Sequence, residues 1–302
     1  QKIIDRVNPN RILTQVAFGL GSSGEENPDV WEMCEWLRSQ YIIPNGTVAD
    51  ISVDTAKKIV KNFGACAVSA HTDWTDWLER LSRSVSYLSA MASACNENKK
   101  DFKINCHFVL SNETLPQLYE LVQRIEEDKK AQKTGGLQNI NAIVLLGLKE
   151  CGRALKSNHK RARDEDFEKT VQMMLDKRLG FGFDSCSQQK YEKAIRNIHK
   201  KKLETCANAV EANALKKRLK VMIMLSEPCE AGLFSAYSNA EGKLFPCSFA
   251  EQEHYAFDVL NTSIGFMEYW NSNIAEHRRN NRGLGWRGKL LANNRECPIY
   301  NI

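Results

Sequence analysis

Long hydrophobic runs are missing from this chain. The two longest, AIVLLGL at 142–148 and VMIML at 221–225, fall far short of the ~20 apolar residues a membrane helix needs, which excludes a helical span. No internal repeat and no long low-complexity run occurs. The sequence opens on no signal-peptide pattern. Its ten cysteines lie at scattered spacings along 302 residues, unlike a secreted disulfide scaffold. A reducing, cytoplasmic setting is therefore expected, with no membrane partner.

Charge is present but uneven. The net charge is +5, yet residues 149–220 carry 19 Lys/Arg against 10 Asp/Glu. Such a segment is the kind of electrostatic footprint that nucleic acid or another polyanion would use. No aromatic residues interleave with it in stacking register, so solvated helix faces are the plainer reading.

Strands and helices alternate through the first half. RILTQVAFG (11–19), residues 44–51, ACAVSAH (65–71), INCHFVLSN (104–112) and NAIVLLGLK (141–149) read as buried strands, with GFGFDSCS (180–187) as a short last one. Between them, helices are expected from about Pro28, from Asp54 as cap to Phe63, over 75–95, over 114–133 and over 164–179. Near-continuous apolar strands separated by helices of this length predict a parallel sheet covered by helices. Residues 188–222 read as charged helix, and from about 226 the pattern breaks into Gly, Ser, Asn and Pro.

The late cysteines form a pattern of their own. Twelve residues separate Cys229 from Gly242, a Gly-x4-Cys ending reaches Cys247, and Cys297 sits in RECPIYNI. Thiolates either side of a glycine turn, joined by others from a distant segment, suit an iron–sulfur cluster or zinc, with His254 or His277 available to complete a tetrahedral zinc set. Burial as small hydrophobes is the plain alternative.

Several segments also line up in order. QVAFGLGSSGEENPD resembles the second strand and following loop, usually Gly-Gly-Glu-Pro, of radical S-adenosylmethionine (SAM) enzymes. AVSA resembles their fourth-strand signature; INCHFVLSNETL, NAIVLLGLKECGRA and GFDSC follow in sequence; FSAYSNAEGKLFPCSF and EYWNS resemble the cluster-bearing tail of the SPASM or twitch type. Together these pieces span about 11–298. The resemblance implies an α/β fold: a partial (β/α)6 TIM-like barrel over 1–187 lacking its first strand, a charged helical connector over 188–225, and a small cysteine-containing extension over 226–302. It implies SAM at the C-terminal ends of the strands, bound by Gly21, Ser22, Ser23, Gly24 and Glu25 of the glycine loop and by Ser69. The loop's backbone would meet the aminoacid end, with Glu25 against its ammonium. It implies a [4Fe–4S] cluster for SAM cleavage and an auxiliary cluster on Cys229, Cys247 and Cys297, with Cys186 as a further ligand or a substrate-facing thiol. Lys149, Arg153 and Asp184 would stand near the substrate mouth, while His107 reads as a packed strand residue. The cofactor would carry the difficult chemistry, hydrogen-atom abstraction from a substrate, with an electron donor for the cluster. A peptide substrate follows from the resemblance alone.

The chain departs from that family in one defining respect. A Cys-x3-Cys-x2-Cys triplet, which should follow the first strand, occurs nowhere. The expectation is therefore an internal piece of a longer enzyme, with 11–19 as an exposed edge strand; a degenerate scaffold, or a zinc or iron–sulfur module binding nucleic acid through its basic segment, is the alternative.

Overall fold

The computed structural model describes residues 1–95, 102–149, 152–226, 229–272 and 274–275. The elements follow in the order α1 (Lys2–Val7), β1 (Gln15–Gly19), α2 (Val30–Ser39), β2 (Ile43–Val48), α3 (Val53–Asn62), β3 (Ala65–Ser69), α4 (Trp77–Ala94), β4 (Lys103–Leu110), α5 (Leu115–Lys130), β5 (Ala142–Gly147), α6 (Asp164–Asp176) and β6 (Phe181–Phe183). Then come α7 (Gln188–Glu204), α8 (Ala209–Met224), the short strands β7 (Tyr237–Ser238), β8 (Lys243–Phe245) and β9 (Phe257–Asp258), and α9 (Phe266–Asn271). The chain divides into two compact units. Residues 13–184 form one; residues 1–12 with 185–302 form the other.

In the 13–184 unit, β1 to β6 make one parallel sheet in unbroken sequence order. Parallel strands need crossovers, and crossovers of the favoured right hand that always advance to the next strand lay their helices on a single face. Burial alternates accordingly. Pro44, Gly46 and Val48, Cys66 and Val68, Ile104, Cys106, Phe108 and Leu110, and Ile143 and Leu145 are buried on one side. Asn45, Thr47, Ser69, Asn105, His107 and Val144 are half-buried on the other. The α/β class and parallel sheet expected from sequence are present, and their order is compatible with part of a TIM-like barrel. Among the described residues no ladder joins β6 to β1, so the sheet is open.

The outermost strand is β1, and its residues alternate between exposed and half-buried. It begins at Gln15 rather than Arg11, because Arg11 takes a positive φ of 54° that ends extended backbone. Helix α3 is capped by Ser52, not Asp54: the Ser52 hydroxyl accepts the Thr55 N–H at 3.0 Å, and Asp54 lies within the first turn. Thr114 stands before α5 but turns back, accepting the Ser111 N–H at 2.9 Å and donating to the Val109 carbonyl at 2.8 Å.

The second unit is built differently. Its three-stranded sheet is antiparallel, in the order β7-β8-β9. Leu244, Phe257, Val259, Tyr269 and Ile274 form a small core, against which Ile3 and Val7 of α1 pack. Arg6 fastens the same helix by donating to the carbonyls of Val259 and Thr262, both at 2.6 Å. Residues at the two ends of the described chain thus share one core, which the alternation of strands and helices does not indicate.

Candidate functional site

The C-terminal ends of the strands in the 13–184 unit gather most of the residues singled out from sequence. The turn after β1 carries Gly21 at φ 67° and Gly24 at φ 77°, the left-handed backbone that glycine accepts without steric cost. At Gly24 a Cβ would also meet the side chains of Val48 and Thr55, at 3.2 and 3.4 Å. The turn is stitched to the end of β2, since the Ser22 carbonyl accepts the N–H groups of Ala49 and Asp50 at 2.8 and 3.0 Å. Ser22 is exposed and Ser23 half-buried.

Two carboxylates divide the work of this turn. Glu25, expected to face an ammonium, accepts the Thr55 hydroxyl at 2.5 Å, so α3 fixes its position. Glu26 curls over Gly21, where a Cβ would lie 2.4 Å from its carboxyl carbon, and it accepts the Ser23 N–H at 3.3 Å. Its own backbone N–H and then those of Ser23 and Ser22 hold its carboxyl below the usual range, against a smaller opposing effect of burial. A carboxylate accepts several donors, so Glu25 retains capacity for another.

The neighbouring strand ends are equally well tied. Ser69 closes β3 and is half-buried. Asp50 receives Arg80 at 2.9 Å and Arg83 at 2.6 Å from α4. Trp74 stacks on His71, with ring centroids 4.5 Å apart, and Arg80 lies 5.1 Å from its ring. At the far end of the sheet Lys149 is ion-paired to Asp184 and donates to the Gly147 carbonyl at 2.8 Å. The charge of Lys149 is thereby offset within the protein. Both side chains are largely buried, at 9% and 19% exposure, so this pair fastens the ends of β5 and β6 more than it offers a cation to an anion.

His107 lies on the sheet face opposite the buried apolar rows. Its Nδ1 is 3.4 Å from the Thr47 hydroxyl, across the small residue Ala67 of β3. Gln15 and Asn45, 3.1 Å apart, and Asn105 and Asn141, 3.3 Å apart, continue the same polar face. Burial lowers the His107 pKa, so the imidazole is neutral at physiological pH and offers one donor and one acceptor.

The cysteines separate into two kinds. Cys34, Cys66 and Cys106 are core residues, with burial pushing their thiols up to about 11, 12 and 12. Cys186, in the short 3-10 turn Ser185–Ser187, and Cys229 and Cys247 are half-buried in the other unit. The glycine turn expected before Cys247 is present: Gly242 has φ 79° between β7 and β8, and its N–H donates to the Asn239 carbonyl at 3.2 Å. Among the described residues no three His, Cys, Asp or Glu side chains form a group that could hold a metal ion. Cys297, His277 and the side chain of Arg153 lie outside what the structure describes, and His254 is exposed.

Sequence reasoning passed over Thr55, Thr47, Asp50, Arg80 and Arg83. Thr55 is signalled by its place three residues after the Ser52 cap, and the arginines by their i, i+3 spacing on one helix face. Only the fold shows that Asp50 receives them both. No family model, no curated protein and no solved structure matches the chain. Among the described residues no helix is long and apolar enough to cross a membrane.

Proposed function

We propose that the 13–184 unit is a partial barrel of the radical SAM kind, binding SAM through the Gly21–Glu25 turn and Ser69, with substrate entering at the same mouth. The observation that carries this reading is the unbroken parallel order β1 to β6 with the positive-φ glycine turn after β1 at the C-terminal end of the sheet. Ser69 ends its strand at that same end. In this reading Thr55 orients Glu25 toward an ammonium group. The Asp50 carboxylate holds Arg80 and Arg83 at the rim, and His107 with Thr47 presents neutral hydrogen-bonding groups to a substrate on the inner face.

Bound SAM would supply, with a reduced cluster, the capacity to abstract a hydrogen atom. The described cysteines do not by themselves make a cluster site. Cys186, Cys229, Cys247 and Cys297 remain the proposed thiolate donors on the strength of the resemblance, with a peptide as the proposed substrate class.

Two measurements test this reading. In anaerobic equilibrium dialysis with labelled SAM, binding is expected, with affinity falling about tenfold or more in Ser69→Leu and Gly21→Ala; a tenfold loss corresponds to about 1.4 kcal/mol. Absence of binding, or equal affinity in both variants, removes the SAM site. In iron–sulfur reconstitution, iron and sulfide content should fall in Cys229→Ala, Cys247→Ala and Cys297→Ala. Zinc retained in place of iron would favour a zinc module, and no metal at all a scaffold.

A further inference from the structure

Helix α8 has two apolar stripes, and among the described residues the fold uses one. Ala212, Leu215, Leu219, Met222 and Ile223 are half-buried, on the side of the helix that meets α7. Val210, Ala214, Val221, Met224 and Leu225 fall within roughly 100° of the opposite side at ~100° per residue. Val210, Met224 and Leu225 are 80%, 72% and 75% exposed. No residue of α8 is fully buried. The helix does not depend on the second stripe to form: the Asn208 side chain accepts the Glu211 N–H at 2.9 Å, and Glu211 accepts the Ala207 N–H at 3.0 Å in return.

The surroundings of that stripe are cationic. Lys216 and Lys220 flank it on one side and Arg218 on the other, with Lys217 within it, all exposed. Residues 188–225 hold ten Lys/Arg against three Asp/Glu. An apolar strip bordered by cations complements an amphipathic helix whose apolar face is bordered by carboxylates.

We propose that the outward face of α8 docks an acidic amphipathic helix of a partner protein, with Val210, Val221, Met224 and Leu225 as apolar anchors and Lys216, Lys217, Arg218 and Lys220 meeting its carboxylates. The chemistry favours this occupant over others. Phosphate backbones gain nothing from a central row of Val, Met and Leu, and the stripe has no aromatic residue for base stacking. Segment 276–302 of this chain carries six Lys/Arg against two Asp/Glu, so its composition does not supply the carboxylates that the cations of α8 would meet. This docking surface is independent of the SAM reading, because it uses none of the same residues.

The test is fluorescence anisotropy on the full chain. The probe is a labelled synthetic helix of about 20 residues, long enough to be helical in water, with Leu at i, i+3, i+4 and i+7 and Glu elsewhere. Saturable binding is expected, weakened about tenfold or more both by Lys217→Glu/Lys220→Glu and by Val221→Asp/Leu225→Asp. Circular dichroism should be unchanged, because all four positions are exposed. No binding, or equal binding in both variants, overturns the proposal. So would a U20 oligonucleotide or phosphatidylserine vesicles binding more tightly than the peptide with the same loss in the variants, or self-association in light scattering that Val221→Asp abolishes.

Discussion

The two units of this chain are stabilised on different scales. In the 13–184 unit a continuous layer of buried side chains from four strands is closed by helices, and Ile59, Val68, Phe108, Leu118 and Ile143 are wholly buried. The other unit has strands of two or three residues, and the buried clusters around them hold five and three of the described residues. It compensates with directed contacts. Phe257 stacks on Tyr269 at 4.3 Å, and the Tyr269 hydroxyl donates to the Tyr255 carbonyl at 2.6 Å. One region is secured by area, the other by a few specific bonds, and substitutions should distinguish them.

The largest expected effect is in the sheet. Phe108→Ala removes a wholly buried ring that meets Trp77 edge-on, and such truncations cost about 3–5 kcal/mol. Urea denaturation should show that loss, with hydrogen exchange accelerating across β3, β4 and β5 together. A loss below about 1 kcal/mol would mean that Phe108 is not a core residue.

In the smaller unit the sharper probe is Tyr269→Phe, which keeps the ring and deletes one donor. Leaving the buried Tyr255 carbonyl unsatisfied costs about 1–3 kcal/mol. Exchange should quicken in β8, β9 and α9 while β3 to β5 keep their protection. If the sheet loosens equally, the two units do not unfold separately and the contrast fails.

The smallest effect concerns pH. Burial depresses the folded pKa of His107 below its ordinary 6.5, so over that interval the unfolded chain binds more protons than the folded one. Stability is then fully present above about pH 6.5 and declines as pH falls toward the folded pKa. His107→Gln should flatten that decline in urea midpoints measured from pH 7.5 to 5. An unchanged slope would assign the acid sensitivity to other groups.

Much of the first unit is legible in the chain. Apolar runs such as NAIVLLGLK become β5, Gly135-Gly136 follows the end of α5, and Pro28 falls two residues before α2, because periodicity and backbone preference act locally. The glycine turn at Gly242 was likewise legible, since a positive φ has few other occupants. At the start of α3 Ser52 and Asp54 both suit an N-cap on sequence, and the hydrogen bond from the Thr55 N–H selects Ser52. Lys149 reads as a free cation in sequence and becomes half of an ion pair once β6 brings Asp184 beside it.

By itself, the sequence determined which segments are strands, which are helices and where glycine must turn the backbone, all properties of neighbours within a few residues. Tertiary structure alone decided that Glu25 answers to Thr55, that Asp50 holds two arginines and that α1 joins a core more than 230 residues further along the chain. Those contacts are chosen by the free energy of burying apolar surface and satisfying polar groups over the whole chain, and no local pattern encodes that sum.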